Sequence, residues 1–150
     1  MDYEALFKCE FKSILDKYKL IGTAFDRDQF AITGNGFALI FTVHLGEVSI
    51  RYVMPNSQGK LEIYNFDLFI VGKFDANDRK GVKKAVTHEE IVSNEITIMA
   101  RGLMNHWQSL LQGDKSWVEK YYAIFGVDGK PYKAHRAIVN KLGPLICVHQ

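Results

Sequence analysis

Residues 29–54 read QFAITGNGFALIFTVHLGEVSIRYVM, and this stretch decides the fold. Asn35-Gly36 is the strongest short hairpin signal in the chain, because both central residues of a type I′ turn need positive φ. Phe30 and Ile32 lead into it. Phe37, Leu39, Phe41 and Val43 follow, alternating with Ala38, Ile40 and Thr42. His44-Leu45-Gly46-Glu47 marks a second tight turn. Beyond it Val48, Ile50, Tyr52 and Met54 share one face, and Ser49, Arg51 and Val53 the other. Successive side chains of a strand point to opposite faces, so two turns and three strands make an antiparallel meander. The central strand, 37–43, is apolar on both faces except at Thr42, which places it inside the sheet.

Working outward, Pro55 to Gly59 is a loop of turn residues, and Leu61 to Tyr64 alternates as a fourth strand. Residues 65–74 read either as a strand or as a short helix capped by Asn65, with Asp67 in its first turn; the helix is preferred. Residues 73–86 are a long polar loop. Thr87 to Glu90 is a capping box, T-x-x-E, opening a helix to about Leu111. Val92, Ile96, Met99, Leu103, Trp107 and Leu110 form its apolar stripe, widened by Ile91, Ile98 and Leu111. Asp114 caps a further helix carrying Trp117, Val118, Tyr121 and Ile124, closed by Gly126. Near the C-terminus, Lys133 to Leu142 reads as a short helix stopped by Gly143-Pro144. Leu145 to Val148 then reads as a last strand or a docked tail.

Upstream, residues 2–19 read as one amphipathic helix. Tyr3, Phe7, Phe11, Ile14 and Tyr18 recur at helical spacing, and Gly22 follows as a stop. The whole predicts one α+β domain over 1–150. It has an antiparallel β-meander sheet of four to five strands, with the N-terminal helix and the long helix packed on one face.

The chain has 150 residues, 24% charged and 47% apolar or aromatic, which suits one domain with a proper core. No apolar run reaches the roughly 18 residues of a membrane span. The opening Met1-Asp2-Tyr3-Glu4 has no basic and apolar leader, so the expected location is cytoplasmic and no membrane partner is expected. Nineteen basic against 17 acidic residues leave +2, too balanced for a nucleic-acid footprint. Residues 1–72 carry 7 Lys and Arg against 9 Asp and Glu, residues 73–150 carry 12 against 8, a mild asymmetry. Cys9 and Cys147 have no CxxC spacing and read as free thiols.

Catalytic signatures are missing from the sequence. There is no G-x-x-x-x-G-K-[ST], no G-x-G-x-x-G and no G-x-S-x-G. His88-Glu89 begins an H-E-x-x-H, but Val92 stands where the second imidazole belongs. His106 adjoins the Trp107 stripe and reads as a packed residue. Asp26 and Asp28 would share a face if extended, yet paired-carboxylate chemistry needs further groups converging there. Phe37, Phe41, Tyr52 and Tyr64 resemble a base-stacking set, but strand aromatics beneath a helical layer are ordinarily core. No cofactor, metal, nucleic acid or catalytic residue is expected.

One resemblance rises above these generic features. The layout is similar to the small bacterial immunity proteins of polymorphic-toxin and contact-dependent growth inhibition systems. The matching pieces are Gly22 to Phe25, Phe37-Ala38-Leu39-Ile40, Val48-Ser49-Ile50-Arg51-Tyr52, Tyr64-Asn65-Phe66-Asp67-Leu68, and Leu110-Leu111-Gln112-Gly113-Asp114 with Trp117. With the N-terminal helix ahead of these pieces, the resemblance covers about residues 3–122. The resemblance implies an antitoxin that is not an enzyme. Its partner would be a cognate toxin domain, whose active site or partner surface it occludes. Immunity proteins that neutralise nucleases are often acidic. The +2 here departs from that and implies a neutral or acidic toxin, or one met by shape and a local patch. The expected toxin-binding residues are Asp75, Asp78, Arg79, Lys80, Lys83 and Lys84 in the polar loop, with Asp26, Asp28 and Glu47 near the sheet's ends. A small hydrolase or nuclease with a dispersed site, and a subunit of a larger bacterial or phage assembly, are the competing expectations.

Overall fold

In the computed structural model, residues 2–146 are described. Six strands pair antiparallel in chain order: β1 (Ile21–Asp26), β2 (Gln29–Gly34), β3 (Phe37–His44), β4 (Glu47–Pro55), β5 (Leu61–Asn65) and β6 (Tyr132–Lys133). The predicted meander is β2-β3-β4, with Phe41 opposite both Phe30 and Ile50, and Leu39 opposite both Ile32 and Tyr52. This register puts Phe30, Ile32, Leu39, Phe41, Ile50 and Tyr52 on one face, all fully buried. Each such side chain contributes roughly 1.5–3 kcal/mol when withdrawn from water.

That face is covered by α1 (Tyr3–Glu10), α2 (Lys12–Tyr18) and α5 (His88–His106). The fold class is therefore the α+β arrangement expected, with one strand more than the four to five predicted. The predicted first helix is two. The backbone departs from helix at Phe11 (φ −93, ψ 2), although Phe11 N still donates to Phe7 O at 2.8 Å. Gly22 is no helix stop. The chain reverses at Lys19, in the left-handed region at φ 54, and Gly22 lies inside β1 opposite Ile32. A Cβ there would stand 2.8 Å from Phe30 Cζ, so any larger residue must displace that ring.

Residues after β5 resolve as the preferred helix, α3 (Asp67–Val71), but its N-cap is Phe66 rather than Asn65, which ends β5 and accepts from Asp67 N through Oδ1 at 3.2 Å. The polar loop contains a one-turn helix, α4 (Ala76–Arg79), capped by Asp75. Thr87 caps α5 as expected, its Oγ1 accepting from Glu90 N at 3.1 Å. The helix breaks at Trp107 (φ −129) and resumes as α6 (Gln108–Leu111), short of the single run predicted to Leu111. The break accompanies an anchor: Trp107 Nε1 donates to Ile70 O of α3 at 3.2 Å. α7 (Trp117–Phe125) packs Trp117 and Tyr121 against Tyr64, Phe66 and Phe69.

The largest departure from expectation is the second face of the sheet. Ala31, Ala38, Ile40, Val53, Leu61 and Ile63 are buried there beneath Ile138, Leu142 and Ile146 of α8 (Arg136–Ile146). Gly143-Pro144 does not stop this helix. Pro144 lies inside it, and the spacing of Ile138, Leu142 and Ile146 holds the helix on the sheet. Leu145 and Ile146 are thus helical rather than a strand, while Cys147 and Val148 lie outside the described residues. Cys9 is a free, exposed thiol.

Candidate functional site

The nine residues expected to bind a toxin fall into two groups. Asp26, Asp28 and Glu47 gather at one end of the sheet, where the β1–β2 and β3–β4 turns lie side by side. Val43 N donates to Asp28 O at 2.9 Å, and Asp26 Oδ1 accepts from Asp28 N at 2.9 Å. All three are exposed. The other six lie on the segment that runs back along α5. Arg101 Nη1 donates to Lys80 O at 2.6 Å, and Asn94 Nδ2 donates to Lys83 O at 2.7 Å. Asp75, Arg79, Lys80, Lys83 and Lys84 are exposed.

Asp78 is a correction to the surface reading, because it is fully buried. Its Oδ1 accepts from Asn105 Nδ2 at 2.7 Å. Its Oδ2 accepts from Asp75 N at 2.8 Å and lies 2.9 Å from His106 Nε2. A carboxylate only accepts, so Nε2 carries the hydrogen of that bond. Burial alone would raise the Asp78 pKa. The bonds from Asn105, the Asp75 backbone and His106, with the nearby His106 charge, outweigh it and hold the carboxyl below its ordinary value. The ligand atoms of Asp75, Asp78 and His106 lie within 4.8 Å of one another. Both Asp78 oxygens are already engaged, so the trio works as a brace that fixes the segment to α5. The cavity beside His106 and Trp107 is about 80 Å³, below the roughly 300 Å³ of a small-molecule site.

At the sheet end, Glu47 belongs to something larger. The β3–β4 turn, the start of β4, α3 and the first half of α5 enclose a groove of about 520 Å³. Leu45, Val71 and Ile91 form its apolar wall, and Leu45 is 84% exposed. Glu47, Asp67 and Glu95 line it with His88, and no Lys or Arg does. Asp67 Oδ1 accepts from Ile50 N at 2.7 Å, which fixes α3 as the groove's second wall. Glu47 and Glu95 form no ion pair among the described residues.

Sequence reasoning found Glu47 but missed its neighbours. Helical spacing puts Ile91 at the margin of the apolar stripe of α5, yet it is 42% exposed and lines the groove. Leu45 carried a usable signal: an apolar residue in a tight turn, where turn chemistry favours Gly, Asn or Asp. The aromatics Phe37, Phe41, Tyr52 and Tyr64 lie in the core, as strand aromatics beneath a helical layer are expected to. No described helix is long and apolar enough to cross a membrane. Comparison with protein-family models, with curated proteins and with solved structures finds no match to this chain.

Proposed function

We propose that this chain is an immunity protein that binds a cognate toxin domain in the cytoplasm and occludes its active site or partner surface, without catalysis of its own. The observation that carries this reading is the groove at the sheet end. Exposed Leu45, Ile91 and Val71 stand beside carboxylates with no Lys or Arg among the groove's lining residues. Apolar surface rimmed by charge is what a protein partner covers. The brace at Asp78 supports the same reading from the other side. Its carboxylate is occupied by three donors and is buried away from any ligand.

Tagged protein is used to capture partners from a lysate of its native host, and the purified pair is then reconstituted. The expected result is one stoichiometric partner, the C-terminal toxin domain of a large secreted protein, whose toxicity in a test strain is suppressed when this chain is co-expressed. A partner that is not toxic, or a symmetric oligomer with no heterologous partner, overturns the reading.

A further inference from the structure

We propose that the groove between the β3–β4 turn and α5 receives a basic segment of a partner protein, which inserts one apolar side chain against Leu45. The proposal deepens the immunity reading and rests on it for the partner's identity, but not for the partner's chemistry.

Leu45 is the first observation. Two tight turns flank β3. At Leu45-Gly46 both residues have positive φ, 50 and 81. At Asn35-Gly36 only Gly36 does, at φ 81. The left-handed region therefore holds leucine in one turn, while the asparagine that tolerates it sits outside it in the other. An L-residue there costs about 1–2 kcal/mol. Leu45 adds the exposure of nearly its whole side chain to water. Among the described residues Leu45 gains no core packing against these costs, being part of neither core cluster. Strain at a solvent-facing side chain is accounted for when that side chain is what a partner grips.

Charge is the second. The chain as a whole is +2, yet the groove carries three carboxylates and no Lys or Arg. The N-terminal turn of α5 adds Glu89 and Glu90 next to His88. This concentrates negative potential at one end of a slightly basic protein, which attracts a basic surface and repels an acidic one. The local patch thereby meets the alternative left by the net charge.

The test begins with a phage-displayed library of random peptides, panned on the full chain alone. Enriched peptides are synthesised and their affinities measured by fluorescence anisotropy at low and high salt. The expected peptides carry Lys or Arg flanking a Leu, Ile, Met or aromatic residue. Their affinity falls at least about tenfold on Leu45→Asn, falls similarly on the Glu47→Lys/Glu95→Lys pair, and weakens with salt. Asparagine suits the left-handed turn, so Leu45→Asn melts at or above the wild-type temperature and lost binding is not lost folding. The proposal is overturned if no peptide is enriched, if the peptides lack basic residues, or if Leu45→Asn binds them unchanged. It is also overturned if Leu45→Asn abolishes a self-association of the wild type, for the groove then belongs to a second copy. Peptides of the expected kind without any toxin partner would leave this proposal standing and remove the immunity reading. A toxin bound equally by Leu45→Asn and by the Glu47→Lys/Glu95→Lys pair would do the reverse.

Discussion

His106 Nε2 lies 2.9 Å from Asp78 Oδ2 across 28 positions of sequence, and this contact joins the end of α5 to the one-turn helix α4. It is one of three donors to a carboxylate with no exposed surface. Asp78→Ala leaves the Asn105 amide, the Asp75 N–H and the His106 ring without their acceptor. Removing one partner of a buried charged network costs about 3–5 kcal/mol, and the two neutral donors, the Asn105 amide and the Asp75 N–H, lower that toward about 2–3. Urea unfolding of the variant should show that loss, with an unchanged slope if the native surface is otherwise preserved.

The same carboxylate sets an acid limb. Its pKa is lowered in the folded protein, because the bonds it accepts and the His106 charge outweigh the burial that would raise it. A depressed carboxyl pKa contributes stability that is fully present above the unfolded value of about 3.9. That contribution is lost as pH falls through the folded value. Asp78→Asn removes the titration while keeping the shape. Wild-type urea midpoints should therefore drop more steeply below about pH 4 than those of the variant. Parallel curves down to about pH 3 would show that Asp78 carries no such linkage.

A third prediction concerns β1. Gly22→Ala brings a Cβ to 2.8 Å from Phe30 Cζ and 3.3 Å from Leu15 Cδ1. Phe30 is buried and stacked on Phe7, centroids 5.1 Å apart, so displacing its ring disturbs that stack. Overpacking of this kind costs about 1–3 kcal/mol. Phe30→Leu removes the ring atom that clashes, and in a double-mutant cycle the cost of Gly22→Ala should shrink in that background. A coupling near zero would place the strain elsewhere.

These residues also show what local pattern reveals. The meander was legible because alternation and two tight turns act within eight or nine residues. β3 read as an inner strand because Ala38 and Ile40 are apolar on the face opposite Leu39 and Phe41. β1 escaped because an edge strand with a glycine and half-exposed side chains alternates weakly. β6 escaped because two residues carry no period. Asp78 sat in a run of charges that looks solvated. Its burial is imposed by Asn105 and His106, which lie 27 and 28 positions away. Of the proposed docking surface, Glu47 was legible as an exposed charge beside a turn. The groove around it arises only when α3 and α5 converge on that turn.

The last prediction concerns the cover of the second face. The apolar second face of β3 required a layer above it, but Gly143-Pro144 concealed which segment supplied one. Ala31 and Ala38 are the two fully buried alanines of that face, and their small side chains let a helix approach β2 and β3 closely. α8 is tied there by Gly36 N donating to Ile146 O at 3.2 Å, and by Lys141 Nζ donating to Phe25 O at 3.3 Å. Leu142, fully buried between Ile138 and Ile146, is the centre of the contact. If α8 is an integral layer, Leu142→Ala opens a cavity in a core that cannot close it and costs about 2–5 kcal/mol, as much as Leu103→Ala on the opposite face. Amide exchange in β2 and β3 should then accelerate to the rate set by global unfolding of the variant. A cost below about 1 kcal/mol, with exchange in β2 and β3 unchanged, would make α8 an appendage laid on a sheet that is stable without it.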